Sequence, residues 1–121
     1  TGTPTAPTAT AGTDTTQVAT TAFSKVASEA VAIGEAQTWQ DVSGSRAHST
    51  SYQNTSGKSI QIVLGASGTS REVQASANSS TWVIIGKVGG GDFLQSFSII
   101  PDNYYYRVNG STTLTYWSEL R

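Results

Sequence analysis

The residues able to do chemistry in this chain are few and scattered. His48 is the single histidine, and cysteine and methionine are absent. A hydrolytic triad would have to use His48, yet no Gly-x-Ser-x-Gly elbow presents a nucleophile to it. Asp41, Glu72, Asp92, Asp102 and Glu119 fall in different segments, so a glycosidase pair of carboxylates is neither indicated nor excluded by spacing. One histidine per chain holds a metal only where copies meet on an axis, and no second ligand lies near it in sequence, so no metal, cofactor or catalytic residue is expected. What remains is recognition chemistry. Trp39, Tyr105 and Trp117 could stack on sugar rings, although rings of this size serve more often in a core or an interface between chains. Asn54-Thr55-Ser56, Asn78-Ser79-Ser80 and Asn109-Gly110-Ser111 match the glycosylation acceptor pattern, which arises by chance in turn-rich sequences.

The elements that would position these groups are mostly strands. From residue 38 onward, short runs rich in β-branched and aromatic residues alternate with Gly, Asn, Ser and Pro clusters. Strands are predicted near 38–42, 48–54, 59–65, 71–76, 81–86, 92–100, 104–108 and 112–120. Eight short strands at near-regular spacing predict an antiparallel β-sandwich. Ile60, Ile62 and Leu64 mark a buried face of one strand, Phe93, Phe97 and Ile99 the inner side of another, and Trp82 and Ile84 add to the core. Asn109-Gly110 between two aromatic runs is a strong hairpin signal. Tyr104, Tyr106, Val108, Leu114 and Tyr116 share one face only if that hairpin closes with a three-residue loop. The opposite face would then carry Tyr105, Arg107, Thr113, Thr115 and Trp117, enough apolar area to require a second surface. Arg107 would stack there or pair with Glu119.

Before the strands lies a different composition. Residues 1–13 alternate Thr and Ala with two prolines and predict an extended arm. Asp14 through Gln17 reads as a capping box opening a helix that Gly34 stops, the two making up a collar segment 14–36. Ala19, Phe23, Val26, Ala30 and Ile33 follow an a/d spacing. That stripe suits either a helix lying on its own sheet or a parallel bundle formed with neighbouring chains, and composition does not choose.

The 121 residues, 36% hydrophobic and 12% charged with net charge −1, fit one domain with an arm. Solubility comes from Ser, Thr, Asn and Gly, as in extracellular β-proteins. No basic stripe suggests a nucleic-acid partner, no apolar run is long enough to span a bilayer, and no thiols are available for crosslinks, so stability rests on the core or on oligomerisation. Without a methionine at residue 1, the chain is expected to be a processed product or a fragment.

Three segments carry a family resemblance. Residues 3–23, from Thr-Pro-Thr-Ala-Pro-Thr-Ala to Gly-Thr-Asp-Thr-Thr-Gln-Val-Ala-Thr-Thr-Ala-Phe, resemble a segment found near the ends of tailed-bacteriophage tail fibres. Trp39 to Ile62, with Asp41-Val42, Ser45-Arg46-Ala47, Tyr52, Asn54-Thr55, Gly57-Lys58 and Ile60, is similar to the start of a C-terminal tail-fibre head domain. Such heads close with Tyr-Tyr-Arg-Val and Trp-Ser-Glu-Leu-Arg, as at 105–108 and 117–121. The resemblance implies a homotrimer on a virion tail-fibre tip, with a helical collar at 14–36 and a β-sandwich head at 37–121. It implies adhesion to lipopolysaccharide, capsule glycan or an outer-membrane protein of the host; the missing catalytic motifs and long apolar runs, read on their own, lead to the expectation of no enzyme activity and no membrane insertion. The resemblance also favours the bundle, placing Ala19, Phe23, Val26, Ala30 and Ile33 in the trimer interface; Tyr105 and Trp117 are expected at an interface between chains on the separate ground that they are large aromatics in a small protomer.

If the collar enters at one end and the strands alternate, the far end carries loops 43–47, 66–70, 87–91 and 109–111. The candidate contact residues are Arg46, Thr69, Ser70, Arg71, Lys87, Asp92, Asn109 and Ser111. Two other readings stand beside this one. A carbohydrate-binding module of a secreted hydrolase would be monomeric with aromatics on a flat face, and a purely structural fibre segment would bind nothing.

Overall fold

A computed structural model describes residues 2, 6–10, 13, 19–91 and 95–121. Among these the chain forms one α-helix, α1 (Thr21–Val31), and eight strands: β1 (Trp39–Asp41), β2 (Tyr52–Gln53), β3 (Ile60–Ser67), β4 (Arg71–Ser76), β5 (Val83–Val88), β6 (Gln95–Ile100), β7 (Tyr105–Asn109) and β8 (Thr113–Leu120). The strands build two antiparallel sheets, ordered β1-β8-β3-β6 and β2-β7-β4-β5. Ile60, Ile62, Leu64, Val73, Val108 and Trp117 are sealed between them. The fold is thus mainly β, a two-sheet sandwich with one helix before it, as the turn spacing predicts.

The hairpin at Asn109-Gly110 does not form. β7 pairs with β4, Val73 facing Val108 and Ala75 facing Tyr106, while β8 pairs with β3 in the other sheet. Gly110 takes the left-handed φ, 82°, that a three-residue loop would give it, but the strands on either side of it enter different sheets. The physical gain lies in burial. In one sheet, the apolar residues of the two strands would line up on a single face at best; in two facing sheets, both strands aim their large side chains into the same core. A bulge completes this. Gly65 faces Tyr116 and Ala66 faces Leu114, so Thr115 is the extra residue and the parity of β8 flips there. Leu114 and Trp117 therefore both pack on the core, and Tyr116 turns outward over Gly65.

The same accounting corrects β6. Its inward residues are Ser96, Ser98 and Ile100, and Phe97 and Ile99 point to solvent; Phe93 lies outside the described residues. The cause is a close approach of β5: a Cβ on Gly86 would collide with Ser96 Oγ, so this inner position has room only for a small side chain. Ile84 is exposed rather than core. Trp82 lies on the outer face of its sheet beneath the Arg107 guanidinium, 3.9 Å from the ring centre.

The helix starts later and ends sooner than its sequence signals suggest. Thr20, in extended conformation, is the N-cap, its hydroxyl accepting from Phe23 N at 3.1 Å; the capping box at 14–17 lies outside the described residues. Ala32 is already extended, so Ile33 and Gly34 fall beyond the helix. No residue of α1 is buried, so the helix does not lie on its own sheet. It is tied to the head by Lys58, whose Nζ donates to the carbonyls of Glu29 and Glu35 at 2.9 Å each.

Candidate binding surface at the loop end

Strand direction sorts the loops into two ends. Lys58 brings α1 to the end that carries the 54–59 and 101–104 loops, which are locked together by Asn54. This side chain is buried, its Nδ2 donating to the carbonyls of Lys58, Ile100 and Pro101 and its Oδ1 accepting from Ser56 N and Oγ. Asp102 adds a bond from Gly57 N. The acceptor-pattern asparagine is thus a structural hub with its amide fully engaged.

At the opposite end, three of the expected loops are bonded to one another. Thr112 Oγ1 donates to the carbonyls of Ser67 and Thr69 at 3.1 and 3.2 Å, and Gly90 N donates to Gly68 O at 2.7 Å. Arg71 Nε donates to Ser111 O at 2.8 Å. A Cβ on Gly110 would stand 2.9 Å from that Nε, so glycine is what lets the guanidinium lie against the turn. These bonds join 67–71, 89–91 and 109–112 into one platform. Thr69, Ser70, Lys87, Asn109 and Ser111 are exposed on or beside it and Arg71 is half-buried; Asp92 lies outside the described residues. Hydroxyls, an amide, an ammonium and a guanidinium on a braced backbone can donate to and accept from a polar, acidic or hydroxyl-rich ligand.

Arg46 does not belong to this surface. Loop 43–47 runs along the flank, with Val42 N on Trp117 O and Trp117 N on Ser43 Oγ. Arg46 turns inward over the Tyr52 ring and forks onto Glu119, Nε to Oε1 at 2.9 Å and Nη2 to Oε2 at 3.0 Å. Tyr106 Oη donates to Oε1 at 2.8 Å and Arg121 Nη1 to Oε2 at 2.7 Å. A fully buried carboxylate is tolerated because both oxygens are bonded and two cations face it. Burial pushes the Glu119 carboxyl up, but the bonds from Arg46 and Tyr106 and the charges of Arg46 and Arg121 outweigh it and hold it below its ordinary value. Burial, with the Glu119 charge beside it, raises the Tyr106 hydroxyl to about 12. Sequence signals missed this cluster, since 73 residues separate Arg46 from Glu119.

Two interface expectations also change. Trp117 is wholly buried in its own chain, edge-on to Tyr52 at 5.9 Å, so it is core and not a contact between chains. Arg107 bonds Gln74 at 3.0 Å and stacks on Trp82 rather than pairing with Glu119. Tyr105 is half-buried beside it. His48 is half-buried, its Nδ1 3.4 Å from Ser49 Oγ. Among the remaining carboxylates, Asp41 accepts from Ser43, which holds its carboxyl below the ordinary value, and Glu72 accepts from Gln74.

Compared with protein-family models, curated proteins and solved structures, the chain matches none.

Proposed function

We propose that this chain is the tip of a bacteriophage tail fibre, a homotrimer whose loop ends adhere to a polar receptor on the bacterial surface. The observation that carries the reading is the platform of three mutually bonded loops at the end of the sandwich away from α1, together with the fibre-like segments at 3–23, 39–62, 105–108 and 117–121. A glycan offers hydroxyls and acidic groups, and Arg71, Lys87, Thr69, Ser70, Asn109 and Ser111 are the side chains that would meet them. Each site is weak, because a neutral hydrogen bond contributes about 0.5–1.5 kcal/mol net. Three sites pointing one way raise avidity on the order of 10²–10⁴ through effective concentration.

The test is binding of the purified chain to immobilised lipopolysaccharides and capsular polysaccharides and to intact Gram-negative and Gram-positive cells. Binding to at least one surface, weakened about tenfold or more by Arg71→Ala with Lys87→Ala, is expected from loss of charge-assisted bonds. Binding that ignores both substitutions, or none to any surface, overturns the reading.

A further inference from the structure

We propose that copies of this chain meet through the outer face of the β1-β8-β3-β6 sheet. The inference rests on the homotrimeric reading above and adds to it the surface by which the trimer is held. It starts from an inversion. In an antiparallel sheet with one solvated face, polar residues point out and apolar ones in. β6 does the reverse, burying Ser96 and Ser98 and presenting Phe97, 62% exposed, and Ile99, 58% exposed. Close approach of Gly86 explains the small residues inside but not the large apolar ones outside.

The ladder extends the anomaly across the sheet. Trp39, Leu120, Gln61 and Ile99 form one cross-strand row, and Asp41, Ser118, Val63 and Phe97 the next. Asp41 is the one charged side chain in these rows. The outer face of the other sheet differs in kind: it carries Glu72, Gln74, Lys87 and Arg107, and Trp82 already covers part of it. No described element lies over the first face, because α1 buries none of its residues.

Size and charge point to a copy as the occupant. With about 150–250 Å² for a large side chain, the exposed parts of Trp39, Phe97 and Ile99 amount to roughly 350 Å². The half-buried Leu120, Val63 and Tyr116 on the same face enlarge the patch toward the ~800 Å² that each partner loses in a standard interface. A face whose rows carry Asp41 as their one charge is best matched by another with as little charge to desolvate, and an identical chain supplies it at equal concentration. β6 has no charge, proline or bulge of the kind that keeps edge strands apart. Beside it runs a groove of about 350 Å³ lined by Gln61, Ile85, Phe97, Ser98 and Ile99, which can take a protruding side chain. Association along this side, around an axis parallel to the strands, leaves every loop platform facing the same way.

The experiment is light scattering on the full chain and on Phe97→Arg, Ile99→Lys and, as a control from the other sheet's exposed face, Ile84→Lys. Expected are a three-chain mass for the unsubstituted protein and Ile84→Lys, and a one-chain mass, with association weakened at least a hundredfold, for the other two. A three-chain mass in folded Phe97→Arg and Ile99→Lys, or a one-chain mass for the unsubstituted protein, overturns the inference. Should either variant fail to fold, hydroxyl-radical footprinting of the unsubstituted protein decides: protection of Trp39, Phe97 and Ile99 supports the face and full labelling refutes it. Surface binding measured on the same samples separates the two readings. One-chain variants that still bind, with lower avidity, uphold both; a trimer held by this face that binds no surface removes the adhesion reading and leaves the interface.

Discussion

Glu119 is the residue on which the interior polar cluster turns. Glu119→Ala leaves the Arg46 guanidinium, only 14% exposed, without its partner, and is expected to cost about 3–5 kcal/mol in urea unfolding, as for other broken buried pairs. The pH dependence follows from the same contacts. The Glu119 carboxyl is depressed in the fold, so its contribution is complete above the unfolded value near 4.5 and is lost as pH falls through the folded value. Tyr106 acts at the other extreme: its raised hydroxyl contributes fully below 10.0 and is lost as pH climbs toward about 12. Unfolding free energy measured from pH 2 to 12 should fall at both ends, and Glu119→Gln should flatten the acid limb. Asn54→Ala removes the amide that satisfies three carbonyls; with about 1–3 kcal/mol for a buried group left unpaired, it should be among the most damaging single changes at the helix end.

At the scale of elements, α1 depends on caps and tethers more than on packing. A helix this short is marginal alone in water. Thr20→Ala should weaken the helix by about 1 kcal/mol, and Lys58→Ala should release it, both lowering helical ellipticity while the temperature at which the sheets melt stays nearly constant. The β8 bulge makes a different demand. A Cβ on Gly65 would stand 2.5 Å from the Tyr116 ring, so Gly65→Ala should expel the ring and cost about 1–3 kcal/mol, the range for overpacking, read from denaturant midpoints with tyrosine fluorescence as the local probe. Strand existence was legible in local patterning: the 71–76 strand is found with the bounds its residues suggest. Pairing was not, because Asn109-Gly110 looks the same whether its flanking strands join one sheet or two. Nor did alternation reveal which side of β6 faces in, since Phe97 and Ile99 alternate equally well with either side buried.

For the whole molecule, the sandwich should outlive its helix. Among the described residues, removing 1–36 deletes no core side chain and severs tethers such as the Lys58 bonds; the remainder should unfold cooperatively, within about 1 kcal/mol of the full chain, an effect of surface size. A larger loss would show that the helix holds more of the head than its contacts indicate. What the amino-acid order by itself determined was local: that a strand lies near each of eight stretches, although the one expected over 48–54 shrinks to Tyr52–Gln53 and the one over 81–86 shifts to Val83–Val88, that β-structure dominates, and that Gly-bearing turns at 66–70, 87–91 and 109–111 fall at one end, because propensity, turn chemistry and the up-and-down alternation of strands need only neighbours in the chain. Tertiary structure alone decided which sheet each strand joined, that Arg46 turns inward to Glu119 instead of outward to a ligand, that Trp117 is core, and that Phe97 and Ile99 face out. Those outcomes depend on the space and charge that distant segments bring to each side chain, and no stretch of sequence read alone contains that information.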